Sequence, residues 1–213
     1  MKKSISLLLV ACLVATTSYA NPLKDLTSKK NRDKLKTAAT VVAVVAAAKL
    51  IADMVIEHRS KNVSKEDKVA KEYKEKHQEL PEQPTATRYV TETDPGKVVE
   101  VGKKVVIRSD IVVVPGSKTK QAVIEERIVI YDNEDNTKPL NTLTKPVNGK
   151  TKKAGHYQNE FSFTLPEGLP QGVYPIKTEL LINGQAVESA SNDIQLVMIY
   201  DAQGQQQLLA LAY

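Results

Sequence analysis

Three histidines, one cysteine and one acidic cluster are the residues of this chain whose types could support chemistry. His58, His77 and His156 lie far apart, and none has a second ligand at metal-binding spacing or a nucleophile beside it. His58 falls at the expected end of a helix, where an imidazolium complements the helix dipole. The cluster 132–136, DNEDN, offers carboxylates to a cation. It lacks the glycine at the sixth position and the distal bidentate glutamate of a calcium loop, so a solvated loop is expected. Glu125 and Glu126 are adjacent on an expected strand, where successive side chains point to opposite faces, so they do not form an acid/base pair. The nine glycines stand singly in turns and make no phosphate loop. The expectation is a protein that is not an enzyme, with no catalytic residue, no cofactor and no metal. An enzyme is the alternative that clustering of His and acids in the fold would revive.

The elements around these residues begin with an export signal. Lys2 and Lys3 form a basic start, 5–14 is an apolar run broken by Ser6, and Ser18-Tyr19-Ala20 is a small-x-small cleavage site. This predicts a signal peptide over 1–20, a mature chain from Asn21, and a periplasmic or other cell-envelope location in a bacterium. Leu9-Val10-Ala11-Cys12 also fits a lipoprotein box, which would acylate Cys12 and tether the protein. Cys12 is the only cysteine, so cleavage after Ala20 leaves a mature chain without disulfide, thiolate or Cys-based metal site.

Loss of 1–20 removes Lys2 and Lys3 and no acid, which takes the formal charge from +5 to +3. The basic excess lies in 24–36, at Lys24, Lys29, Lys30, Arg32, Lys34 and Lys36. An exported chain rarely meets nucleic acid, so no nucleic-acid partner is expected. A membrane surface is the better candidate for this segment.

Residues 21–86 read as a helical arm. Asn21-Pro22 is a helix start. An Ala/Val-rich helix is expected over about 35–59, and its segment 38–56 is long enough to span a bilayer. Lys49 and Asp53 each cost about 3 kcal/mol near a helix centre, so a non-spanning helix is expected, with membrane anchoring through 38–56 as the alternative. Lys49, Asp53 and Glu57 would share one helical face; Val44, Ala48, Ile51 and Val55 would share another, expected to pack on the chain's own domain or the next helix, with a partner contact as the alternative. A charged helix is expected over about 65–79, opened by a capping-box-like arrangement at Ser64. Residues 80–87 read as a proline-rich linker.

From 87 to 200 the period changes to two. Strands are expected over 88–93, 97–101, 103–114, 122–131, 140–143, 157–165 and 174–182, with a last one from the hairpin to Tyr200. Residues 165–185, LPEGLPQGVYPIKTELLINGQ, hold a corner at Pro170 and Gly172, then Tyr174, then the hairpin signal Asn183-Gly184. A tyrosine just after such a corner and opening a strand is how a tyrosine corner looks. On these residues 87–200 resembles bacterial immunoglobulin-like β-sandwich domains, although a cysteine pair and a tryptophan are missing. The resemblance implies a mainly β chain, an Ig-like or fibronectin-like antiparallel sandwich of about seven strands behind an N-terminal helical arm, and it implies no particular function.

The tail 201–213 ends in LLALAY, which is expected to add to the sandwich; as the alternative, Leu208, Leu209, Leu211 and Tyr213 are candidate partner contacts by strand addition. Taken together, the chain reads as a non-catalytic envelope protein. It would be a binding or assembly-accessory module that contacts a protein partner or a second copy of itself.

Overall fold

The computed structural model describes residues 47–197. Eleven strand segments occur among them, and along the long central ones inward apolar residues alternate with outward polar ones. Residues 104–114 show this most clearly: Val105, Ile107, Ile111 and Val113 are buried, and Arg108 and Lys104 are exposed. The chain is mainly β.

The strands are β1 (Glu57–Lys65), β2 (Thr85–Asp94), β3 (Val98–Glu100), β4 (Lys104–Val114), β5 (Ile124–Tyr131), β6 (Pro139–Pro146), β7 (Gly155–Thr164), β8 (Gly172–Tyr174), β9 (Ile176–Ile182), β10 (Gln185–Ser191) and β11 (Ile194–Val197). One sheet has the order β1-β7-β4-β2 and the other β10-β9-β5-β6, all antiparallel. A third, small sheet has the order β3-β11-β8, with β3 parallel to β11. In immunoglobulin lettering, β2-β4-β7 take places A, B and E, and β10-β9-β5-β6 take G, F, C and C′. This is an Ig-like β-sandwich. The three short segments are continuations of A, F and G, so seven strand positions become ten segments. The eleventh, β1, lies beyond β7, at the place strand D holds in the constant-type sandwich.

β1 corrects the expected helix over 35–59. Helical residues continue only to 52 within the described chain, and the last turn closes through Asp53 N–H to Lys49 O (2.9 Å). The Asn141 side-chain amide, from the other sheet, donates to the carbonyls of Ile51 (2.8 Å) and Met54 (3.2 Å) at the helix end. Ala47 and Ile51 are buried in the sandwich core, with Leu50, Met54 and Ile56 packed against it. Beyond Ile56 the sequence EHRSKNVSK has little apolar surface to bury as a helix, and its backbone pairs with β7 instead. Glu57 therefore shares no helical face with Lys49 and Asp53; it lies on β1, 3.5 Å from Lys104. Among the described residues no helix is long and apolar enough to cross a membrane.

The close crossing of β1 over β7 needs Gly155. A Cβ there would lie 2.8 Å from the Ser64 carbonyl, and its φ of 153° suits glycine. The charged helix follows at once as Glu66–His77, capped by Lys65 without a side-chain bond. The expected Ser64 cap is absent because Ser64 is still paired to His156 in the ladder. Val69 is the buried residue of this helix. β2 begins at Thr85, inside the stretch expected to be a linker. The expected last strand is split into β10 and β11 at Asn192-Asp193, and Asp193 turns back to accept the Ile176 N–H (3.1 Å).

Two apolar clusters fill the space between the sheets. One holds Val105, Ile107, Ile128, Ile130, Phe161 and Tyr174, and the other holds Ile111, Val113, Ile124, Tyr157, Leu180 and Ile182. Between them β4, β5, β7 and β9 contribute one polar residue each: Ser109, Glu126, Asn159 and Thr178, all buried.

Candidate functional site

The corner forms as its residues require. Tyr174 is fully buried, and its hydroxyl donates to the Pro170 carbonyl at 3.0 Å. Gly172 faces Asn133 so closely that a Cβ would lie 2.9 Å from the amide nitrogen. Asn183 and Gly184 both have positive φ, 52° and 80°, as a tight two-residue hairpin demands. The Asn183 side chain also accepts the Val123 N–H at 2.9 Å, which ties the hairpin to the start of β5. These five residues set architecture.

The other candidates separate. Ala48 is half-buried on the helical residues 47–52. Ile51 is fully buried in the chain's own core, so it offers no surface to a partner. Val55 is 78% exposed, but it lies past the helix end and not on a stripe with Ile51. Val44, Leu208, Leu209, Leu211 and Tyr213 lie outside the described residues, as do the basic segment 24–36, Cys12 and the candidate signal peptide.

The histidines are dispersed over the fold. His77 stacks on Tyr73 with ring centroids 4.2 Å apart. His156 bonds Asp110 on the outer face of the first sheet. His58 is on β1, where its Nε2 meets Asn159 Oδ1 at 2.7 Å, so it is not a helix-end cation. Burial lowers the His58 pKa; the bond to Asn159 opposes this, and Lys145 adds to it. The acidic loop bonds to its own backbone: Asp132 accepts the Glu134 N–H (2.9 Å) and Asp135 the Thr137 N–H (3.0 Å). Among the described residues no three His, Cys, Asp or Glu side chains are placed to hold a metal ion.

The polar layer is the most concentrated buried chemistry. Glu126 is fully buried. Its Oε1 accepts from Tyr89 (2.8 Å) and Ser109 (2.6 Å), and its Oε2 from Asn159 (2.7 Å). Burial raises the Glu126 pKa against the pull of these three donors. Burial also raises Tyr89, and the Glu126 carboxylate beside it adds to the shift. Both carboxylate oxygens are occupied, and the network ties the two sheets together. The sequence signal was available: Glu126 has the parity of Ile124 and Ile128, the inward residues of β5.

The outer face of the first sheet is different. A depression of about 660 Å³ lies there, lined by Arg59, Lys61, Arg88, Glu92, Arg108 and Glu160 among others. The register places Arg59, Glu160, Arg108 and Glu92 in one row across four strands, with alternating sign. Arg108 pairs with Glu160 (3.4 Å) and Asp94 (3.2 Å), and Arg88 pairs with Asp110. Burial pushes Asp110 up, but its bonds from His156 and Arg88 outweigh this and hold its pKa below the usual range. Arg59 and Lys61, at the β1 end of the depression, have no ion-pair partner among the described residues. Glu92, at the β2 end, has none either.

No family model matches the chain, and no curated protein matches it. Solved structures do resemble it. The CARDB domain of a Pyrococcus furiosus protein, crystallised in complex with di-metal ions, is 17% identical, with a TM-score of 0.38 over 56% of this chain and 93% of that one. The sporulation control protein Spo0M of Bacillus subtilis is 17% identical, with a TM-score of 0.34 over 52% of this chain and 49% of that one. The alkylpurine DNA glycosylase AlkC of Pseudomonas fluorescens is 13% identical, with a TM-score of 0.35 over 54% of this chain and 30% of that one. Scores of this size transfer no activity, and the fold is read from the strand order itself.

Proposed function

We propose that this chain is a non-catalytic protein of the bacterial cell envelope. It acts as a binding or assembly-accessory module, and its Ig-like sandwich carries the contact surface. The observation that carries the reading is the outer face of the first sheet, where Arg59 and Lys61 project from an edge strand with no acidic partner among the described residues. Unpaired cations on a rigid ladder are available to a partner's carboxylates at little ordering cost. The export signal read over 1–20 supports the location, and the single cysteine inside it suits an oxidising compartment.

Chemical cross-linking in intact producing cells, followed by fractionation and mass spectrometry, tests this. The expected result is a mature chain that starts at Asn21 and is joined to another envelope component. A chain recovered from the cytosol, or an exported chain joined to no other component, would overturn it.

A further inference from the structure

We infer that the two free edges of the first sheet are complementary and join copies of this chain head to tail, β2 of one copy against β1 of the next. The inference rests on the same unpaired Arg59 and Lys61 as the reading above but concerns a second copy, so self-association of the purified chain tests it apart from any envelope partner.

The outer face supplies the charges. β1 and β2 are the two edges of the sheet. β1 ends the face with the unpaired cations Arg59 and Lys61; β2 ends it with the unpaired Glu92 and with Asp94, whose one ion-pair contact is to Arg108. Charged edge residues commonly guard a sheet against sticking to itself. A guard against self-pairing would put like charges on both edges, and here the signs are opposite.

Strand direction agrees. β1 is antiparallel to β7, β7 to β4, and β4 to β2, so β1 runs antiparallel to β2. A copy added in the same orientation thus brings β1 antiparallel to the first copy's β2, and the ladder continues. The charges then select the register. A straight continuation of the row would set Glu92 against Arg59 but Asp94 against Glu57, two acids. A stagger of two residues sets Asp94 against Arg59 and Glu92 against Lys61, with both pairs opposite in sign. The contact is heterologous and does not close on itself, so it builds open chains of copies.

Sedimentation velocity of the purified chain at low ionic strength tests this, with Glu92→Lys, the double variant Arg59→Glu/Lys61→Glu, and their equimolar mixture. All three residues are exposed, and circular dichroism checks that each variant keeps the fold. The parent is expected to associate with rising concentration and to dissociate toward monomer in about 0.5 M salt. Each variant alone should associate roughly tenfold more weakly. The mixture should recover association into two-chain complexes, because the unaltered β2 of the double variant meets the unaltered β1 of the Glu92→Lys chain, where both pairs are opposite in sign. A parent that is monomeric up to about 1 mM overturns the inference. So does association that survives salt and all the substitutions, which would place the contact elsewhere, for instance in the apolar residues 37–48.

Discussion

Glu126 concentrates more physical consequence than any other side chain in the described residues. Its pKa is raised by burial, so the folded state holds this proton more tightly than the unfolded chain does. A raised acid contributes stability that is fully present below the unfolded value, near 4.3, and is lost as pH rises through the folded value. Urea unfolding should therefore show stability falling as pH climbs from about 4.3 toward neutrality, and Glu126→Gln should flatten that slope. Below about pH 4 the slope reverses, because Asp110 is depressed and its contribution disappears on protonation. A wild-type profile that rises through this window would contradict the assignment. Glu126→Ala leaves Tyr89, Ser109 and Asn159 without an acceptor and should cost about 2–4 kcal/mol. Tyr174→Phe removes one bond, to the Pro170 carbonyl, and should cost only about 0.5–1.5 kcal/mol in the same assay. Tyr174 was legible in sequence because a corner, a tyrosine and a hairpin follow in a fixed order. Glu126 carried the right parity but not its partners, which come from β2, β4 and β7 and are 17 to 37 residues away.

Among the elements, β1 is a weakly anchored edge: like β2, β6 and β10 it has no buried residue. Its contacts are the ladder to β7, polar bonds such as Ser60 Oγ to the Val147 carbonyl (2.6 Å), and the His58 ring against Phe161. Strands held mainly by hydrogen bonds open more easily than those carrying much apolar surface. Hydrogen exchange read by mass spectrometry should thus find amides of 57–65 exchanging faster than those of β4; equal protection would show that β1 belongs to the global folding unit. The residues before it behave in the opposite way. Ile51→Ala should cost about 2–5 kcal/mol, as for a core isoleucine, and Val55→Ala should stay within about 0.5 kcal/mol. The positions of β4, β5, β7 and β9 were readable because their two-residue period spans seven residues or more. β1 was not, because EHRSKNVSK has no apolar alternation and forms a strand only where β7 offers its edge.

For the molecule as a whole, the sandwich and its tyrosine corner could be expected from residues 87–200, but the nine-residue strand β1 at its edge could not. That strand is recruited from the stretch that reads as an arm, and it brings Arg59 and Lys61 onto the outer face. The surface proposed for binding is therefore a product of long-range pairing between residues about a hundred positions apart, which no local pattern announces. A direct test is site-specific photo-cross-linking in producing cells, with the photoreactive residue at position 61 on β1 or, as control, at position 188 on β10. The account predicts an adduct from position 61 to another envelope component, with a second copy joined there as well where the head-to-tail contact forms, and little from position 188. No adduct from position 61, or equal adducts from both positions, would contradict it.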